Sequence, residues 1–449
     1  MTISKLYQAH SKKVDDLKKP ELLAPAGGIE QLRYAIQYGA DAVYMAGNKY
    51  GLRVRANNFE QDNLAEAVEL AHKAGIKVFI TCNAIMHSED LEGLPEYLEH
   101  LNEIGADAVI ANDLATIRLA KKHAPNLHIH ASTQCSITNA QAAEVYHELG
   151  ASRVVLAREL SFEEIAHIRK ELPESLELEV FCHGSMCMAY SGRCVISNAL
   201  ANRDANRGHC TQPCRWNYAL VEEKRPGKYI PVEEDARGSY IMSSEDLNML
   251  AYVYELCKLG VDCLKVEGRV KSAYYVATVI NAYRSVLDGA DPQKFLRELD
   301  CVSHRPYSTG FYFDKGKQAL DLNGYIVEYR WVATPLSSKE WHDDKADEAT
   351  EAAYPGLIGK LKQNPAYKGK IYRVEVSQKN RFYNEEAIEV LKKGKAGEQL
   401  IVEGLMEHKG STPLKVDAAL ATNVSYSFYT FHELNEYDLL RRAEQTEVD

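Results

Sequence analysis

Four stretches of this chain repeat one pattern: Gly39-Ala40-Asp41-Ala42-Val43-Tyr44, Gly105-Ala106-Asp107-Ala108-Val109-Ile110, Gly150-Ala151-Ser152-Arg153-Val154-Val155 and Gly260-Val261-Asp262-Cys263-Leu264-Lys265. In each, the glycine reads as the end of a helix, because it enters the left-handed backbone region without steric penalty. The apolar run behind it reads as a buried strand. Eight such runs occur, at 21–26, 42–46, 77–83, 108–112, 127–134, 153–159, 178–184 and 263–268. Between them, apolar residues recur at three- and four-residue spacing over 63–73, 91–104, 139–149, 161–171 and 247–259. Ser161 with Glu164 forms a capping-box start. Strand–helix alternation of this kind predicts a parallel sheet. Eight units favour a closed ring over an open, doubly wound sheet. No G-x-G-x-x-G follows the first run, which weakens a dinucleotide-binding reading.

The expected fold is therefore α/β: a TIM-like (β/α)8 barrel over 20–290, with an extension at 1–19. A cysteine-rich insertion, 185–240, follows strand 7 and would sit over the barrel mouth, where the loops after the strands form the active face. The alternation stops near 291. Residues 337–353 are polar and acidic, so 291–355 reads as a connecting segment. Short β runs at 370–376, 387–391, 399–405 and 424–428 then predict a small C-terminal β-barrel domain over 356–449.

The first 19 residues are polar and charged, and no run approaches the roughly 20 apolar residues that span a membrane. No membrane partner and a cytoplasmic location are expected. In that reducing setting clustered cysteines point to metal or redox chemistry rather than disulfides. The net charge of −11 argues against nucleic-acid binding by the whole surface. Charge is uneven, however. Residues 184–218 hold Arg193, Arg203, Arg207 and Arg215 against one acid, Asp204. Such an island can bind an anion, or it can be solvated loop.

Within that island Cys187, Cys194, Cys210 and Cys214 follow the spacing C-x6-C-x15-C-x3-C, out of 10 cysteines in the chain. Zinc ribbons favour two close pairs, and only the second pair is close here. Iron–sulfur clusters tolerate irregular spacing, so a cluster fits better, with zinc left open.

The residues Glu179-Val180-Phe181-Cys182-His183-Gly184-Ser185-Met186-Cys187, continuing to Gly192-Arg193-Cys194-Val195-Ile196-Ser197, meet the pattern E-x-F-x2-G-[SA]-hydrophobic-C-x4-G-x-C-x-hydrophobic-S. This resembles the signature of the peptidase U32 family. Glu21-Leu22-Leu23-Ala24-Pro25-Ala26-Gly27, Leu52-Arg53-Val54-Arg55, Leu264-Lys265-Val266-Glu267-Gly268-Arg269 and, in the C-terminal part, Lys379-Asn380-Arg381-Phe382 are similar to it as well. The segment Cys210-Thr211-Gln212-Pro213-Cys214-Arg215-Trp216 looks most like the branch that hydroxylates the wobble uridine of tRNA to 5-hydroxyuridine. The resemblance implies a 4Fe–4S cluster on Cys187, Cys194, Cys210 and Cys214. It also implies tRNA as partner and an oxygen-independent reaction in which prephenate, a small dicarboxylate, supplies the hydroxyl. Alternatives are hydroxylation of another RNA or a quinone, a U32-type peptidase, and a non-catalytic RNA-binding or redox-sensing cluster protein.

The residues carry their own reading. Arg53, Arg55 and Arg269 fall on predicted mouth loops, and guanidinium groups bind carboxylates in bidentate fashion. His183, Glu267, Asn83, Gln134 and Glu159 end predicted strands and are candidates for catalysis, or for satisfying nearby backbone. Arg203, Arg207 and Arg215 are candidates for RNA backbone contact. Trp216 and Tyr218 would stack on the target base or pack the loop. No G-x-S-x-G or H-E-x-x-H is present, and alternation would point Cys182 and His183 to opposite faces of their strand, which disfavours proteolysis.

Overall fold

The computed structural model describes residues 17–52, 58–186, 244–313, 325–410 and 412–444, with parts of 196–239. Eight strands lead: β1 Glu21–Pro25, β2 Ala42–Met45, β3 Lys77–Cys82, β4 Ala108–Ala111, β5 His128–Ala131, β6 Arg153–Val155, β7 Glu177–Ser185 and β8 Cys263–Val266. Each pairs in parallel with the next in chain order except that β8 joins both β7 and β1, which closes the ring. Each strand is followed by a helix: α1 Ile29–Gln37, α2 Gln61–Lys73, α3 Leu94–Glu103, α4 Leu114–His123, α5 Ala140–Glu148, α6 Phe162–Glu171, α7 Val253–Lys258 and α8 Ala273–Leu287. The closed TIM-like barrel expected from the repeat is what the chain forms.

The repeat has a physical basis. Gly39, Gly105, Gly150 and Gly260 have φ of 94°, 78°, 107° and 73°. The amides that follow the first three turn back to the helix, as Ala40 N to Ala35 O at 3.1 Å and Ala151 N to Tyr146 O at 2.9 Å. The aspartate two residues on then fastens the start of a neighbouring strand. Asp41 accepts from Leu22 N at 2.8 Å, Asp107 from Val78 N at 2.7 Å and Asp262 from Leu178 N at 2.9 Å. One tripeptide thus ends a helix and sets strand register.

Residues 247–259, expected as one helix, divide. Asp246–Asn248 is a strand antiparallel to β7, Leu250–Tyr252 is a single 3-10 turn, and only α7 is α-helical. The apolar spacing fits both states; Asp246 decides, because its buried carboxylate pairs with Arg305 at 2.7 Å. The strand Tyr307–Ser308 pairs with Asp246–Asn248, so two short strands extend the sheet beside β7.

The second compact unit comprises 297–303 and 327–449. The strands of its main sheet are β9 Tyr329–Glu340, β10 Tyr372–Gln378, β11 Ala387–Leu391, β12 Glu398–Ile401, β13 Glu403–His408, β14 Leu414–Lys415, β15 Ser425–Thr430 and β16 Leu439–Ala443. They form one curled antiparallel sheet in the order β12-β11-β16-β9-β10-β15-β13-β14, in keeping with the expected small β-barrel domain. Val332, Val374, Phe382, Val390, Tyr426 and Leu440 are among its core residues. The segment 291–355 is not a plain connection. It carries the helix Gln293–Asp300, the long strand β9 at the middle of the sheet, and the helix Glu348–Ala353. Asp347, one of the acids that made 337–353 look like linker, caps that helix at Thr350 N and binds Arg373 and Tyr429.

Among the described residues no helix is long and apolar enough to cross a membrane.

Candidate active site

The C-terminal ends of the barrel strands surround a cavity of about 50 Å³ whose walls include Asn83, Gln134, Arg158, Lys265, Glu267 and Arg269. Glycine lets the segment after β8 enter this crowded place. A Cβ on Gly27 would lie 1.9 Å from the Arg269 carbonyl oxygen. One on Gly184, at φ 106°, would lie 2.5 Å from the Glu267 carbonyl oxygen. Glu267 and Arg269 are thus held by backbone contact that no larger residue permits. Arg269 is buried and donates from Nη1 to Thr81 Oγ1 at 3.0 Å.

Arg158 lies across the mouth. It donates from Nη1 to the Ser185 carbonyl at 2.6 Å and from Nη2 to Glu267 Oε2 at 3.3 Å. Its guanidinium carbon stands 3.7 Å from the Phe181 ring centroid, so the plane is fixed by stacking as well. Beneath, a charged column runs down the barrel axis. Lys265 Nζ is 2.8 Å from Glu179 Oε1, Glu179 Oε2 is 3.3 Å from Arg153 Nη1, and Arg153 reaches Glu21 at 2.9 Å and Glu177 at 2.7 Å. Burial pushes the Glu179 carboxyl up, but Lys265 and Arg153 outweigh it and hold the group below the usual carboxylate range. The floor is therefore ionised and paired.

Of the expected site residues, Asn83, Gln134, Glu267 and Arg269 come together in the cavity wall. Glu159 is half-buried and is not part of that wall. His183 is also elsewhere. Strict alternation would place it with Glu179 and Phe181 on the inner face, but the β7–β8 register shifts after Lys265, so that Phe181 opposes Lys265 and His183 opposes Val266. The extra residue, Cys182, takes up a bulge. The His183 ring packs instead against Tyr283, Tyr307 and Tyr275 at 5.6, 5.4 and 6.1 Å. Burial, opposed by Asp246, drives its pKa down to about 3, so the imidazole is neutral. Cys182 is buried too, and burial pushes its thiol well up, the reverse of what a nucleophilic thiolate needs.

Arg158 and Lys265 are the residues that sequence reasoning missed. Lys265 stands in the quoted Leu264–Arg269 motif, two residues before Glu267, where period-two alternation gives it the same face. Arg158 is adjacent to Glu159, and the choice between them turns on how the chain leaves β6, which no local signal shows.

Arg53, Arg55, Arg207, Arg215, Cys187, Cys194 and Cys214 lie outside the described residues. Arg203 is exposed. Cys210 is described. Its Sγ accepts the Gln212 amide at 3.3 Å, the kind of backbone donation that suits a thiolate ligand, and its neighbour Thr211 is tied to Ser197 at 3.1 Å. His209 forms part of the wall of a larger cleft of about 640 Å³, whose other walls are Asn48–Gly51 after β2 and Ala84–Glu92 after β3. His209, next to Cys210, thus stands at the rim formed by the loops that follow β2 and β3.

The family model Peptidase_U32 (Peptidase family U32) matches residues 27–321. The chain is 44% identical over 304 residues to the Bacillus subtilis (strain 168) tRNA hydroxylation protein P1, covering 66% of this chain and 71% of that one. It is 39% identical over 337 residues to the Escherichia coli (strain K12) tRNA hydroxylation protein P, covering 65% and 74%. It is 38% identical over 268 residues to the Escherichia coli (strain K12) 23S rRNA 5-hydroxycytidine C2501 synthase, covering 60% and 39%. The chain belongs to the peptidase U32 family.

Proposed function

We propose that this U32-family chain is an RNA hydroxylase whose substrate is tRNA and whose product is 5-hydroxyuridine at the wobble position. The observation that carries the reading is the 44% identity, over 66% of this chain, to a protein named for tRNA hydroxylation. Cys187, Cys194, Cys210 and Cys214 would hold a 4Fe–4S cluster; four thiols with an amide donor at Cys210 suit that group. When bound, the cluster supplies iron that can coordinate an oxygen-bearing ligand. The hydroxyl donor would be prephenate.

The chain's own residues support a carboxylate-bearing cosubstrate. Arg158 and Arg269 present fixed guanidinium groups at the mouth, and Lys265 gives the cavity floor a positive charge backed by Glu179. Asn83 and Gln134 add hydrogen-bonding side chains to the same wall. The described cavity has room for a water or two, so it serves as the inner end of a site whose outer part is the rim. A target base would be splayed out of its loop to reach it. Buried Cys182 and neutral His183 make a poor nucleophile and base, which disfavours proteolysis at that pair.

The test is nucleoside mass spectrometry of bulk tRNA from a deletion strain complemented with wild type, Cys187→Ala or Arg158→Met. Restoration of 5-hydroxyuridine by wild type alone is expected. An unchanged tRNA profile, with 5-hydroxycytidine lost from ribosomal RNA instead, would move the substrate to rRNA.

A further inference from the structure

The second unit carries a basic cluster that the barrel chemistry leaves unused. We propose that Arg381 and Arg442, which flank the Tyr383 ring, and Arg330, the ladder partner of Arg442, form a docking site for RNA phosphates; the inference rests on the RNA-hydroxylase reading and assigns the second unit a part in it.

Arg330 lies directly opposite Arg442 in the β9–β16 ladder. Like charges at opposed positions destabilise a sheet unless an anion compensates them. Two carboxylates are at hand: Glu444 pairs with Arg330, and Glu386 stands 3.8 Å from Arg442. A third arginine then joins. Arg381 donates from Nη1 to Tyr383 OH at 3.3 Å, and the Arg442 guanidinium sits 5.6 Å from the centroid of the same ring. Arg442 Nε is buried and has no hydrogen-bond partner among the described residues. Residues 360–449 carry 14 Lys and Arg against 14 Asp and Glu, so this clustering is local and not a consequence of a basic domain.

The turn that presents Arg381 is fixed before any ligand arrives. Lys379 N and Asn380 N donate to the Val332 carbonyl at 2.8 and 3.1 Å, and Asn380 Nδ2 donates to the Trp331 carbonyl at 2.8 Å. That accounts for Lys379-Asn380-Arg381-Phe382 as a motif: asparagine anchors the turn, phenylalanine enters the core, and the two cations face out. Lys379 Nζ lies 4.6 Å over the Trp331 ring. Arginine forks match phosphate oxygens, and cation–aromatic pairs offer faces on which bases stack. An acidic peptide would use the charges but not the rings, so RNA is the better fit.

The experiment measures binding of an unmodified tRNA transcript to the full-length protein by fluorescence anisotropy across salt concentrations. The variant is Arg330→Gln/Arg381→Glu. The control is Lys368→Gln/Lys393→Glu, the same charge change at exposed lysines elsewhere in the unit. The variant is expected to bind roughly tenfold more weakly, with a salt slope smaller by about one to two, and the control to bind as wild type. Melting temperatures should agree among all three. Equal affinity of variant and wild type, or equal loss in variant and control, overturns the proposal. So does cluster-dependent binding of a poly-glutamate peptide without binding of tRNA. Restoration of 5-hydroxyuridine by wild type in the deletion strain keeps the two readings apart: if it occurs and the variant binds normally, only this docking site fails.

Discussion

Glu179→Gln removes the carboxylate that Lys265 pairs with in the barrel floor, and its cost can be worked from the geometry. Arg153 keeps Glu21 and Glu177 as partners, so the damage falls on Lys265, whose Nζ loses its ion pair at 2.8 Å. Breaking one side of a buried pair costs about 3–5 kcal/mol. The Tyr44 ring 4.5 Å below the ammonium moderates the loss while the charge remains. A destabilisation of about 3–5 kcal/mol follows. Adding Lys265→Met removes the orphaned charge and should recover most of the loss. Two of the three tryptophans, Trp331 and Trp341, lie in the second unit, so hydrogen exchange of peptides covering β7 and β8 is the better assay than fluorescence. A loss under about 1 kcal/mol, or a double variant no better protected than the single one, would refute the ionised floor.

Gly27→Ala sets a Cβ 1.9 Å from the Arg269 carbonyl and should destabilise the barrel by about 1–3 kcal/mol, with hydroxylation reduced more than that loss explains; melting and tRNA nucleoside analysis check both. Arg158→Met leaves Glu267 without this guanidinium and, on the proposed function, should raise the KM for a carboxylate cosubstrate by roughly tenfold or more, while tRNA affinity stays constant. His183, with its pKa lowered to about 3, stays neutral in the fold while the unfolded histidine takes up a proton below about pH 6.5. Its contribution to stability is full above that pH and is lost as pH falls toward 3, by about 2 kcal/mol at pH 5; His183→Phe should flatten this part of a pH–urea series.

The ring of eight strands was legible because one tripeptide does two jobs. Gly-x-Asp ends a helix and fastens a strand, and it recurs with each aspartate bound to a backbone amide of the barrel. The position of His183 was not legible, since a bulge shifts the phase of alternation by one residue and costs the sequence no distinctive mark. Strand β9 was hidden for a related reason. Pro335 falls inside it and coincides with a register shift against β10, so the run reads as broken. β16 was hidden because Arg441 and Arg442 make it look polar. In the fold Arg441 is fully buried, held by Glu298 at 2.8 Å and Glu389 at 2.7 Å. Long-range pairing of this kind leaves no trace in local composition.

The barrel separates two kinds of charge. At the floor, Glu179 is fully buried and its pairing with Lys265 and Arg153 is permanent, because exchanging a partner there would expose an ion to a medium that cannot solvate it. At the mouth, Arg158 and Glu267 keep 9% and 15% of their side chains exposed. A pair with access to water can trade partners, and an entering carboxylate can take the place of Glu267 on Arg158 without stranding either group. The floor holds Lys265 in place while the mouth stays exchangeable, which is the arrangement a site needs if it is to admit an anion and release it again.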